Sequence, residues 1–547
     1  MPVKSFALLS FEDQILLRDE LVAPGTLPWL LREHASLLFP DWLFVGWKGE
    51  VRVGRKAWPA QLLMALLLLR HSEAGQTRVG SIRRAATDAA WRAALRLPWS
   101  EKPPTEKTLR EFEAFLKEDH ADIERARIEL AFEHWTRLCL EAGLVDESAA
   151  VWVADSTPMW CYGAVLGTVR LLGDGLRSLG RHWTRARKVE LKTVALEWES
   201  GLLLAKSTKG FFEGTDWSDA EARSEVLVTL VSTVNRATEQ VLAGLEGVRS
   251  NKRKRLARLC RNLLRVVEED LEPTEGGGLR VAQRRSRERL ISQTDPEAQH
   301  FRKSRSQVFS GFKIHGLGEA VSGLVLALSV TPGGEHDSTQ LVPLLERAKG
   351  LYGEIVEVLA DSAYGGMALR KEVDEQTGVT VLAPPVGQRK GKTLGKADFA
   401  IDFEAMVATC PGGVSTGRWR SSGEVRSFVW PKGSEAACGC REACPAHRPR
   451  KLKSGRMGSP HRRLQLHPDE EGLRAVRAEW AQPETRRRYR RRAEGERLMR
   501  ELTRRGARHA AGWGLASASL QAHAAASVGN LLVLAKHLAR QRRRQAA

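Results

Sequence analysis

No part of this chain stays apolar for long. The longest run, Leu62 to Leu69, falls far short of the ~20 residues that a membrane-spanning helix needs. The partly apolar start, Met1 to Leu9, is broken by Glu12 and Asp13, so neither a membrane segment nor a secretion signal is expected. Cysteine is scarce too. Seven thiols in 547 residues do not make a disulfide framework, and they point to a reducing cytoplasm. No internal repeat of fixed period is evident. Negative charge is in short supply: 66 Asp and Glu stand against 86 Lys and Arg, a formal net charge of +20. Such an excess calls for a polyanionic partner, bound through neutralised phosphates and released counterions. The 42% hydrophobic content is ordinary, and the length allows several domains with sizeable cores.

The informative features are three carboxylates. One apolar run, Ala150 to Ala154, ends at Asp155, followed by Ser156, Thr157 and Pro158. A second, Ile355 to Ala360, ends at Asp361, followed by Ser362, Ala363, Tyr364, Gly365 and Gly366. Short β-branched runs closed by turn residues read as buried strands, which puts each aspartate where a strand leaves a sheet. The third acid is Glu496, on a basic helix with Tyr489 and Arg492. Offsets of zero, three and seven place these three on one helical face. Glu494 lies about 160° away from Glu496 around that helix. Arg492 is suited to pin Glu496 or to bind a phosphate. Asp337 directly precedes an expected helix over 338–349, where N-capping by Asp337 or Ser338 accounts for it.

Residues 1–145 read as helical. A plausible helix-turn-helix region runs from Trp58 to Leu116, and Thr105–Leu116 is its candidate groove-facing segment. Strands begin at Ala149. The first is followed by a basic helical stretch, 166–295, that carries Asn251-Lys252-Arg253-Lys254-Arg255 and Arg284-Arg285-Ser286-Arg287. Gln307–Leu317 and Val321–Val330 alternate like an antiparallel pair, with a turn at Gly318, Glu319 and Ala320. The Asp361 strand, a helix over Met367–Glu375 and a strand over Val379–Ala383 follow. Together 149–399 makes the first part of an α/β core. Residues 400–475 have little periodicity and contain Cys410, Cys438, Cys440 and Cys444, with His447 nearby. Cys438, Cys440 and Cys444, with Cys410 or His447 as a fourth, read either as ligands of a structural zinc ion or as reduced thiols in a loop. Residues 484–547 are the last acidic helix and a helical tail. Cys139, Cys161 and Cys260 are isolated and are expected to pack.

Asp155-Ser156-Thr157, Asp361-Ser362-Ala363-Tyr364-Gly365 and Tyr489…Arg492…Glu496 resemble the three signature motifs of DDE transposases from bacterial insertion sequences, in the branch with a helical N-terminal domain. Gly311-Phe312-Lys313-Ile314-His315, Thr331-Pro332-Gly333 and His336-Asp337-Ser338 extend the likeness. The family's lysine seven residues after the glutamate is replaced here by Thr503, with Arg504 beside it. The resemblance implies an RNase H-like catalytic core carrying a large helical and a Cys-rich insertion, next to an all-α N-terminal domain. It implies catalysis by Asp155, Asp361 and Glu496 through two Mg2+ or Mn2+ ions, with DNA contacts at Tyr489, Arg492 and Lys313; the dense cationic run at Arg253, Lys254 and Arg255 is, from its charge, expected to contact phosphates rather than to be only a solvated helix face. The expected partners are the element's terminal inverted repeats and target DNA, bound by a dimer or larger assembly in the cytoplasm, at the nucleoid. Two other classes share these residues: a catalytically inert DNA-binding derivative, and a nuclease that cuts without joining.

Overall fold

The computed structural model describes residues 21–48, 57–302, 306–385, 394–423, 425–431, 444 and 462–547. Its main N-terminal helices are α1 (Leu27–Glu33), α2 (Ala60–His71), α3 (Arg78–Thr87), α4 (Ala89–Leu95), α5 (Glu106–Lys117) and α6 (Arg127–Glu141). The α5 segment begins as the sequence suggests, with the Thr105 hydroxyl accepting the Thr108 N–H.

A mixed sheet follows. Its strands are β1 (Trp152–Trp160), β2 (Gln299–Arg302), β3 (Val308–Glu319), β4 (Leu324–Pro332), β5 (Glu357–Leu359) and β6 (Thr380–Leu382). They lie in the order β2-β3-β1-β5-β6, with β4 also paired to β3. β3 runs antiparallel to β1 and to β4, whereas β1, β5 and β6 run parallel. Helix α10 (Leu341–Tyr352) precedes β5, and α11 (Met367–Thr377) connects β5 to β6. The β3–β4 turn lies at Ala320–Gly323, two residues later than the sequence suggests, because Glu319 still pairs with Leu324.

Between β1 and β2 stands a helical unit with α7 (Thr168–Arg187), α8 (Ala220–Ala243) and α9 (Ser250–Asp270). It has a core of its own, including Leu171, Leu176, Trp183, Trp198, Leu230 and Leu263. After β6 the described residues form two three-stranded antiparallel sheets, where the sequence shows no clear periodicity. Phe399, Cys410, Phe428, Trp430, Cys444 and Leu464 make their core. The chain ends with α12 (Glu470–Ala481), α13 (Pro483–Arg490), α14 (Arg492–Leu502) and α15 (Leu515–Ala546).

α15 is the spine of the molecule. Its alanines at 518, 522, 524, 525 and 526 are buried. Such small side chains let the helix axis approach α6, β4 and α2 closely, and the helix contacts all three. By length and composition it is the one described helix long and apolar enough to cross a membrane, but 78% of its most apolar stretch is buried inside the protein. One hydrophobic core runs from Leu66 and Leu116 in the N-terminal helices, through Leu326, Leu345 and Val358, to Leu531. Asn530 ties α15 to the sheet. Its amide donates to the Val325 carbonyl at 2.8 Å and accepts the Val325 N–H at 3.0 Å, as a neighbouring strand would. That contact leaves no unpaired backbone group on β4 at this point.

Candidate active site

Val153 of β1 lies opposite Leu359 of β5, where their parallel pairing stops. Asp155 and Asp361 each follow two residues later. Strand side chains repeat with period two, so both aspartates leave side by side on the face that carries Val153 and Leu359. β1 does not end at Asp155, however. It continues to Trp160, paired with β3 throughout, with Asp155 opposite Gly316. Only its parallel neighbour stops, and this opens a gap beside a continuing strand. Asp361 does follow the end of β5, where its Oδ1 accepts the Ala363 N–H at 2.8 Å.

α14 covers the same face. A Cβ at Gly495 would overlap the side chain of Val153, so glycine is needed for the helix to lie against β1. This contact, rather than any weakening of the helix, explains a glycine between Glu494 and Glu496. Gly495→Ala is expected to lift α14 off β1 and to cost about 1–3 kcal/mol by overpacking. A thermal melt checks it; an unchanged transition temperature would remove the role given to this contact.

The Arg492 guanidinium joins two of the acids. Nη2 donates to Asp155 Oδ1 at 3.3 Å, and Nη1 to Glu496 Oε1 at 3.2 Å. Burial pushes the Asp155 carboxyl above its ordinary value. Arg492 opposes this, while the charges of Asp361 and Glu496 add to it. Asp361 and Glu496 are therefore each within electrostatic reach of Asp155. Glu494 pairs instead with Arg491 at 3.8 Å. Among the described residues no three His, Cys, Asp or Glu side chains are grouped closely enough to hold a metal ion. Three carboxylates on separate elements are hard oxygen groups of the kind Mg2+ or Mn2+ prefers.

Several expectations change here. Tyr489 and Glu496 are not on one helix, because the chain turns at Arg491 between α13 and α14. The turn lets Tyr489 pack its ring on Trp480, 4.7 Å away, while α14 aligns with β1. Asp337 is not a helix cap. His336 caps a short 3-10 turn over Asp337–Gln340 that precedes α10. Asp337 accepts Lys313 Nζ at 2.8 Å and Ser156 Oγ at 3.0 Å. Burial pushes its pKa up, but the Lys313 ammonium, His315 and Ser156 hold it below the ordinary value. Lys313 also donates to the Glu335 carbonyl at 2.7 Å and is mostly buried, so it faces this network rather than open solvent. His315 is fully buried, with Nε2 2.9 Å from Thr331 Oγ1, and burial brings its pKa down to about 4.

Tyr364 is a further member that the sequence reading passed over. Its ring is 1% exposed, and its hydroxyl has no hydrogen-bond partner among the described residues. Burial, then Asp337, Asp361 and Asp155, push its pKa well above the ordinary value. Its place directly after Asp361-Ser362-Ala363 was the available signal.

Of the other candidates, Arg253, Lys254 and Arg255 are exposed on α9, away from this network. Cys410 and Cys444 are buried in the small β unit, and Cys410 Sγ accepts Arg462 Nη2 at 3.3 Å. Cys438, Cys440 and His447 lie outside the described residues. Burial pushes the Cys139 and Cys260 thiols up to about 12 and Cys161 to about 11; all three pack.

Residues 291–531 match the family model described as Transposase DDE domain, so the chain carries a DDE-type transposase domain. The matched segment includes Asp361 and Glu496. Asp155 lies before it, across the helical unit, and folding of β1 into the sheet brings it alongside. Searches of curated proteins and of solved structures gave no match.

Proposed function

We propose that this protein is the transposase of a bacterial insertion sequence, with an RNase H-like core that cuts and joins the element's ends. The observation that carries this reading is that Arg492 bonds both Asp155 and Glu496 while the charge of Asp361 acts on Asp155, in a chain with a DDE domain and a +20 charge. In this reading Asp155 is the central ligand, and Asp361 and Glu496 flank it in holding two Mg2+ or Mn2+ ions. Such ions, when bound, supply Lewis acidity to an attacking water or 3′-hydroxyl and to the leaving 3′-oxygen. Arg492 keeps Asp155 and Glu496 together as their countercharge, and its planar guanidinium also suits a DNA phosphate. Asp337, Lys313 and Ser156 hold the β1 backbone next to Asp155. The surface cations Arg253, Lys254 and Arg255 contact the DNA backbone, and the protein works as a dimer or larger assembly on DNA.

Strand joining tests this reading. Pre-cut element ends incubated with a target plasmid and Mg2+ should give joined products. Cleavage without joining would favour a nuclease. Binding without either would favour an inert derivative.

The small β unit is proposed to hold one structural zinc ion, through Cys410 and Cys444 with Cys438 and Cys440. Metal analysis of the purified protein should find about one zinc per chain. Zinc-free protein that is fully folded would return these thiols to simple packing.

A further inference from the structure

Each acid around the centre, Asp155, Asp361, Glu496 and Asp337, accepts at least one hydrogen bond. The phenol beside them is the exception: among the described residues the Tyr364 hydroxyl has no partner. Tyr364 ends a 3-10 turn, Ser362–Tyr364, that starts from Asp361. This turn is held firmly. Asp361 Oδ1 accepts the Ala363 N–H at 2.8 Å, and the Asp361 carbonyl accepts the Tyr364 N–H at 3.1 Å. Gly365 then passes so close to the Pro384 carbonyl that a Cβ would overlap it. Arg370 bridges the Gly365 and Ala383 carbonyls at 3.3 and 2.6 Å. The ring itself is packed in the main core.

A buried hydroxyl without a partner opposes folding, and phenylalanine would fill nearly the same space without that cost. Stability therefore does not account for the phenol. Its polar surroundings do. The charges of Asp337, Asp361 and Asp155 all reach it, and with burial they keep its proton on, so it has a hydrogen bond to give. Asp337 already has a donor on each oxygen, Lys313 on Oδ1 and Ser156 on Oδ2. Asp155 uses Oδ1 for the Ser156 N–H and for Arg492, and Asp361 uses Oδ1 for the Ala363 N–H. Among the described residues, Oδ2 of both accepts nothing. Of these two acids, Asp361 lies on the turn that carries Tyr364.

We propose that Tyr364 is a positioning residue of the acidic centre: its hydroxyl donates to Oδ2 of Asp361 once that carboxylate turns toward a divalent cation, and so fixes the direction in which Asp361 presents its charge. A carboxylate oxygen has two lone pairs, so one takes the phenol while the other faces the cation. The proposal rests on the reading of these acids as a divalent-cation centre, and adds the group that orients one of them.

Full-length Tyr364→Phe protein is compared with the parent. Mn2+ binding without DNA is followed by the electron paramagnetic resonance of the free ion, and the ions lost in Asp155→Asn are taken as those of the centre. Their affinity is expected to fall about tenfold or more, the effect of removing a partner that orients a ligand. The metal-free melting transition should stay level or rise, since an unpartnered buried hydroxyl is removed. In cleavage of a labelled duplex, kcat should fall while KM is unchanged. A melting transition that drops along with the affinity would make the phenol a packing element and overturn the proposal. Unchanged Mn2+ affinity would overturn it too. Equal Mn2+ binding by the parent and Asp155→Asn would leave no centre to position, with the same result. Strand joining by the parent separates the two readings. Weakened Mn2+ binding in Tyr364→Phe, with no joining by the parent, sinks the transposase reading alone. Joining by the parent, with unchanged Mn2+ affinity in the variant, sinks the role of Tyr364 alone.

Discussion

Asp155→Asn and Asp361→Asn are each expected to reduce Mg2+-dependent DNA cleavage by about 10³-fold or more, while metal-free DNA binding stays within about twofold. Asparagine keeps the shape of the side chain but removes the charge that holds a hard cation. Losing about 4 kcal/mol of transition-state stabilisation corresponds to roughly that factor. Neither change disturbs packing. Asp155 is partly exposed at a gap beside β1. Asparagine at 361 can still accept the Ala363 N–H through its side-chain oxygen. Cleavage assays with Mg2+ and gel shifts without it separate the two effects. Substantial cleavage by either variant would sink the assignment of that residue. Equal loss of binding and cleavage would point to a general defect.

The second large effect is expected at Glu496. Glu496→Gln should reduce cleavage by about 10²–10³-fold, and Glu494→Gln by no more than about twofold. The substitution preserves length and nearly preserves helix propensity, so the comparison isolates charge. Glu496 shares the Arg492 guanidinium with Asp155, and its charge acts on the Asp155 carboxyl. Glu494 faces Arg491 on the exposed side of α14. Loss of cleavage in Glu494→Gln with retention in Glu496→Gln would overturn this choice. Arg492→Gln is informative in the same assay. If Arg492 serves only as the countercharge of the acids, Mg2+ should tighten in the variant. If it also grips phosphate, DNA affinity should fall as well.

Much of the local structure around these acids was legible in the sequence. Asp361 follows a run whose β-branched pattern and turn residues mark a buried strand end, and β5 does stop at Leu359. The i,i+4 relation of Arg492 and Glu496 follows from helix geometry alone, and the two side chains do meet. Composition alone pointed to a polyanionic partner. Other features depended on long-range pairing, which local pattern cannot register. Pro158 reads as the end of a strand, yet β1 passes through it, because β3 pairs with the whole length from Trp152 to Trp160.

What the sequence by itself determined is the elements on which the candidate acids lie and the sign of the net charge. These depend on residue type and on spacing within one element. Tertiary structure decided which groups meet. Asp337 satisfies every local rule for a helix cap, but β3 carries Lys313 to within 2.8 Å of it and so draws it toward Ser156. Gly495 looks like a weak point in a helix until Val153 is found against it. In each case the deciding partner lies on another element, often more than a hundred residues away, and only packing of the core sets that distance.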